Sequence, residues 1–148
     1  MVQQDWQTQD LVGKDLSETT YNGIYAKGVN LAMVCLAKSQ VEASNFVNAG
    51  FWKANLTHAN FSGCNFSGAN LAEAKLNHAV FTDCDFTMAD LTAADLTNAT
   101  FIRCSLVGAN LSNTTCTNLY TEAVNSWGVT GRDNKVDFFA AETELNKA

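Results

Sequence analysis

ANLTHANFSGCNFSGANLAE, residues 54–73, decides the fold. Every fifth residue in it is Leu or Phe: Leu56, Phe61, Phe66 and Leu71. Two residues before each stands a small one, Ala54, Ala59, Cys64 and Ala69. Asn fills the position between, at Asn55, Asn60, Asn65 and Asn70. Outward from this core the rule holds from Ser44 to Thr115, through Phe46 and Phe51 on one side and Leu76, Phe81, Phe86, Leu91, Leu96, Phe101, Leu106 and Leu111 on the other. A period of five fits neither an amphipathic helix nor a flat, alternating strand.

A second period lies on the first. Cys64, Cys84 and Cys104 are twenty apart, as are Phe61, Phe81 and Phe101, and Phe46, Phe66 and Phe86. Leu56, Leu76 and Leu96 form another series, and Leu71, Leu91 and Leu111 a fourth. The central positions run Phe, Phe, Leu, Leu and repeat, with Phe51 and Leu106 as exceptions. Four pentapeptides thus make one turn of the chain, and like side chains stack on like, about 4.8 Å apart as in neighbouring strands. One such turn cannot bury its own central residues, whereas a stack of turns can.

Ala54-Asn55-Leu56-Thr57-His58, Ala69-Asn70-Leu71-Ala72-Glu73 and Ala89-Asp90-Leu91-Thr92-Ala93 follow the pattern A(D/N)LXX. In this the chain resembles the pentapeptide repeat family. The resemblance covers about residues 9–118 and implies a right-handed quadrilateral β-helix, all-β, with the central and small residues inward and the other three outward. About five coils are expected, a rod roughly 25 Å long.

The repeat bounds three segments. Residues 1–9 are expected to be an N-terminal cap carrying Trp6, residues 10–121 the coils, and residues 122–148 a C-terminal cap. In the first coils Leu11, Leu16, Tyr21, Ala26, Leu31, Leu36 and Val41 hold the register, with Ile24 and Ala26 trading large for small. In the last segment, Asn125 to Arg132 reads as a loop. Asn134 to Lys147 reads as a short helix with Val136, Phe139, Ala140 and Thr143 on one face. That helix is expected to cap the last coil. The resemblance adds a second role, because some members dimerise end to end through their C-terminal coils.

The net charge of -6 argues against nucleic acid as a direct ligand and against anionic membrane surfaces. No apolar run approaches a membrane span of about 20 residues. Five thiols without an evident pairing favour a reducing compartment, so a cytoplasmic location is expected. Cys64, Cys84 and Cys104 are expected to pack reduced in one inner column, with no fourth ligand for a metal. His58 and His78 are expected to stack on an outer face, between Lys38 and Asn98, with no carboxylate to complete a site. A convex rod with a filled core offers no cleft for general acid–base chemistry. No catalytic residue, cofactor or metal site is expected.

What remains is binding. The outward positions are mostly Thr, Ser, Asn and Gly, so Trp52, Met88, Ile102 and Val107 stand out as candidate contacts with a protein partner, with Phe139 in the last segment. Met88, Ile102 and Val107 are expected near one edge. The expected function is a non-enzymatic structural or protein-interaction module of unknown partner. The resemblance supplies an alternative, since quinolone-resistance members bind DNA gyrase as a rod shaped and charged like duplex DNA. Such mimicry needs acids in lines along the rod. Asp85, Asp90 and Asp95 fall instead on three successive sides of one coil, and the column through Asp90 reads Asn30, Gly50, Asn70, Asp90, Asn110.

Overall fold

A computed structural model describes residues 4–131. The phenylalanine and leucine series are stacked as the period of twenty requires. Eight short strands form, β1 (Gln4–Asp5), β2 (Thr20–Asn22), β3 (Ile24–Tyr25), β4 (Gln40–Glu42), β5 (Asn60–Ser62), β6 (Val80–Thr82), β7 (Thr100–Ile102) and β8 (Tyr120–Glu122). A six-stranded parallel sheet runs β2-β4-β5-β6-β7-β8 and makes one side of the rod. Its register pairs Phe61 with Phe81 and Phe81 with Phe101. Single bridges at the same spacing make the other three sides, as at Asn65–Asp85, Asn70–Asp90 and Asn55–Lys75. The result is a four-sided parallel β-solenoid of about six turns.

That is one turn more than expected, because the ladder runs past both boundaries drawn from the side chains. β1 already pairs with β3, and the Trp6 N–H donates to the Tyr25 carbonyl at 3.0 Å. Trp6 fills an inward position of the first turn. It meets Tyr21 edge-on at 5.4 Å and reaches over Ala26 to Phe46 at 6.4 Å. Ala26 leaves that room and buried Ile24 restores the volume, as expected. At the other end, the loop read over Asn125 to Arg132 is wall as far as Thr130: Ser105 bridges Asn125, Asn110 bridges Thr130, and Val124 and Val129 are buried. The weak central residues Thr121 and Ser126 hid this, yet the backbone ladder does not need large side chains to continue. The expected helix from Asn134 to Lys147, with Phe139, lies outside the described residues.

Local chemistry explains each position of the five. The Asn or Asp before the central residue turns its side chain onto the N–H two residues on, as Asn65 does to Ser67 at 2.9 Å and Asp90 to Thr92 at 2.9 Å. Such side-chain acceptors stabilise turns. The residue two after the centre is left-handed at every corner, including seventeen that are not glycine, with φ between 49° and 62°. That conformation costs roughly 1–2 kcal/mol for an L residue. It persists because the corner is held from two directions. A bond across the turn closes three of the four corners, such as Ala49 N–H to Phe46 at 3.0 Å, and the ladder holds the third residue to the next coil.

Among the described residues the fourth corner, after Phe61, Phe81 and Phe101, lacks that bond across the turn. Here the small position is Ser or Cys, not Ala. Ser44 Oγ accepts the Ile24 N–H at 3.0 Å and donates to the Glu42 carbonyl at 2.9 Å. The sulfurs continue the series upward. Cys64 receives the Ser44 N–H, Cys84 that of Cys64, and Cys104 that of Cys84. Their thiols in turn lie 3.3 to 3.5 Å from the carbonyls of Val41, Phe61 and Phe81. The cysteine column is thus the polar seam of an open corner as well as a set of fillers.

The buried thiols also bond to one another. Cys104 is pushed far above the ordinary thiol value by its bond to Cys84 and by burial. Cys84 is pulled down by Cys104, but Cys64 and burial outweigh that and push it up to about 12. Cys64, on the accepting side of its bond with Cys84, is lowered against the effect of its burial. All five thiols are free, and only Cys35 and Cys116 are half-buried. Ellman's reagent at neutral pH is therefore expected to titrate the two half-buried thiols in the folded protein and all five after denaturation. A native count above two would contradict the sealed column.

Candidate interaction surface

The core is filled by stacked Phe and Leu, so only the outside can carry function. An open depression of about 480 Å³ lies on the first coil, lined by Gln7, Asp10, Lys27 and Asn30 among others. It is wide and polar. Among the described residues no cluster of three or more metal-ligating side chains occurs. His58 and His78 stack as expected, with rings 4.5 Å apart and 3° from parallel. Parallel rings point their lone pairs the same way, so the two nitrogens do not converge on one ion. Asn98 continues the column, 3.5 Å from His78 Nε2.

Charge is divided unevenly along the rod. Residues 4–75 hold five Lys (14, 27, 38, 53, 75) against six acids (5, 10, 15, 18, 42, 73), a net of -1. Residues 76–131 hold Arg103 against Asp83, Asp85, Asp90, Asp95 and Glu122, a net of -4. Three pairs bridge neighbouring coils: Lys38–Glu18 at 4.0 Å, Lys53–Glu73 at 3.7 Å and Arg103–Asp83 at 2.8 Å. Only the last is two-pronged, and the Arg103 hydrogen bond holds Asp83 below the usual carboxylate range. Its small stabilisation is present above the normal carboxylate pKa and is lost as pH falls through the depressed one. Asp85, Asp90 and Asp95 spend one oxygen each on Thr87, Thr92 and Thr97. They form a belt round one coil, as the sequence indicates.

The structure divides the candidate contacts between sides. Met88 and Val107 do meet, for the Met88 N–H donates to the Val107 carbonyl at 2.8 Å. The Met88 side chain crosses Gly108, where a Cβ would lie 2.4 Å from its sulfur. The Gly108 N–H then donates to the Trp127 carbonyl at 2.9 Å, which sets Trp127 on the same corner. Met88 is 66% exposed and Trp127 76%. Ile102 is half-buried on β7 beyond the Arg103 corner, so it is not on that edge as expected. It shares the sheet side with Tyr120, whose hydroxyl donates to Glu122 at 3.0 Å. Trp52 sits on a further side near the N-terminal coils, 39% exposed, with Lys53 Nζ 4.5 Å over its ring. Exposed Met33 adjoins it through a 2.8 Å bond from its N–H to the Trp52 carbonyl.

Trp127, Tyr120 and Met33 escaped the sequence reading. Trp127 had a signal, since it stands twenty residues after Val107 and forty after Thr87. Reading its surroundings as a loop removed it from the columns.

Comparison with known proteins agrees with this architecture. The family model described as "Pentapeptide repeat region" matches residues 34–111. Among solved structures, a trypsin-treated variant of QnrB1, a plasmid-mediated fluoroquinolone resistance protein, superposes with a TM-score of 0.71 at 24% identity, over 74% of this chain and 57% of that one. Full-length QnrB1 gives 0.61 at 22% identity, over 78% and 60%. A pentapeptide repeat protein of the Arabidopsis thaliana thylakoid lumen gives 0.46 at 26% identity, over 71% and 66%. The chain therefore spans less than two thirds of QnrB1, and at these identities the likeness is one of fold. Among curated protein sequences nothing matches. A repeat matched over more than half of its length, built as a four-sided parallel solenoid, places the chain in the pentapeptide repeat family.

Proposed function

We propose that the protein is a non-enzymatic interaction module, and that the corner of Met88, Val107 and Trp127 is where it meets a protein partner. What carries this reading is Trp127, a large aromatic group standing exposed on a rod whose other outward positions are mostly small and polar. Exposed aromatic and methionine side chains anchor protein interfaces, and Trp is prominent among residues whose loss weakens them. The net of -4 on the same half of the rod favours a partner with a basic rim. Trp52 and Met33 make a second, smaller patch on the more neutral half. The test is affinity capture from native lysate with the wild-type chain, with a Trp127→Ala, Met88→Ala double variant and with Trp52→Ala. The double variant is expected to lose most of the specific recovery, about tenfold or more for a Trp anchor. Equal recovery from all three would remove both patches from the account.

A second reading is binding of DNA gyrase by mimicry of DNA. It is favoured by the acidic C-terminal half and by the likeness in fold to QnrB1, and opposed by acids that encircle the rod and are tied into turns. A gyrase supercoiling assay with and without a quinolone decides it, and no change at micromolar protein would dispose of it.

A further inference from the structure

The last coil points different side chains inward from the coils beneath it. Its central positions are Cys116, Thr121, Ser126 and Gly131, where the coil below has Leu96, Phe101, Leu106 and Leu111. Every one of these steps removes volume from the end of a close-packed core. The N-terminal end solves the same problem with Trp6, which is large and buried. Near the C-terminal end Val124 and Ser126 are nonetheless 1% and 0% exposed.

The backbone at this end is also unbalanced. In each pentapeptide the N–H groups of the central and third residues reach forward to the next coil, as Leu96 does to Thr115 and Asn98 to Thr117. One N–H reaches back, as Thr115 does to Ala94. The corresponding groups of the last coil, such as those of Cys116, Asn118, Thr121 and Ala123, are therefore aimed off the end. Two donors for each acceptor face outward there. Finally, at Gly131 the chain takes φ +75° where the repeat has an inward residue, and a Cβ would lie 2.3 Å from Ser112 N. Only glycine lets it leave the wall pressed this closely on the rung beneath.

We infer that residues 132–148 plug the C-terminal end of their own solenoid. Val136, Phe138 and Phe139 supply the bulk that the four small central residues withhold. Asp133, Asn134 and Asp137 supply acceptors for the donors aimed off the end. A second copy, docked C-terminal end to C-terminal end, would bring the same excess of donors and the same small centres. The occupant is therefore the chain's own segment, and this does not depend on the interaction reading above.

Cys116 reports on the end, because it is a half-buried thiol in the last coil, and Cys35 serves as the internal control. The experiment compares the full chain, a chain ending at Gly131, and the full chain with Phe138→Ser and Phe139→Ser. Iodoacetamide labelling rates, thermal midpoints and solution mass are measured for each. Labelling of Cys116 is expected to rise about tenfold in both variants while Cys35 is unchanged, through local opening of the end. The midpoint is expected to fall, and the full chain to be a monomer. Unchanged Cys116 labelling and midpoint in the double variant would overturn the plug, even where the shortened chain fails to fold. So would a full-length dimer whose dilution, and not the loss of the segment, exposes Cys116.

Discussion

Phe81→Ala is expected to destabilise the protein by about 3–5 kcal/mol, the range for emptying a buried aromatic site. Phe81 is stacked between Phe61 at 5.2 Å and Phe101 at 4.9 Å, and meets the edge of Phe86 at 5.0 Å. It is fully buried in the middle of the rod. Rigid ladders above and below cannot close in on the space, because every rung is fixed to its neighbours. A collapse that would soften the loss elsewhere is therefore unavailable. Phe81→Leu, which keeps most of the volume, should cost less than about 1.5 kcal/mol, since the stack already takes Leu in the neighbouring series. Urea denaturation of the three proteins decides it. A loss under roughly 1 kcal/mol for the Ala variant would mean that the ring does not fill the core as described.

The second large effect falls on the open corner. Cys84→Ala removes only a sulfur by size, but it leaves the Cys64 N–H without the acceptor it has in the folded protein. A buried donor left unpaired costs about 1–3 kcal/mol. Cys84→Ser keeps an acceptor and a donor in place, as Ser44 already does one column position below Cys64, and should cost under about 1 kcal/mol. A pure filler would show the reverse order, with the apolar Ala tolerated better than the polar Ser. Calorimetric midpoints of the two variants separate the accounts, and a Ser variant less stable than the Ala one would refute the seam.

How much of this was legible depends on what the side chains encode. The inward set was readable because each buried position repeats its own residue type every twenty. Phe, Phe, Leu, Leu fixed the coil size before any contact was known. The ends were not readable in the same way. Residues 4–9 and 122–130 belong to the wall through backbone bonds, and those bonds are indifferent to Thr121 or Ser126 at the centre. The cysteines were placed correctly but understood only in part, since a missing turn bond has no signature in the sequence. For the candidate contacts, corners decided the outcome. Ile102 and Val107 are five residues apart in the chain, yet the Arg103 corner sends them to different sides. Met88 and Val107 are nineteen apart and share a backbone hydrogen bond.

The ladder bonds have a mechanical consequence. Every one of them runs parallel to the rod axis, and each joins only adjacent coils. Tension applied between the two ends would therefore load the coils in series. The wall would part like a zip at its weakest rung and release chain one coil at a time. Each released coil of twenty residues frees up to about 65–70 Å of extended chain. The same molecule squeezed across its width would meet stacked aromatic rings at every level. It is thus a body that is stiff to compression from the side and yielding to traction along its length, and a partner that grips a side wall would hold it far more firmly than one that pulls on an end.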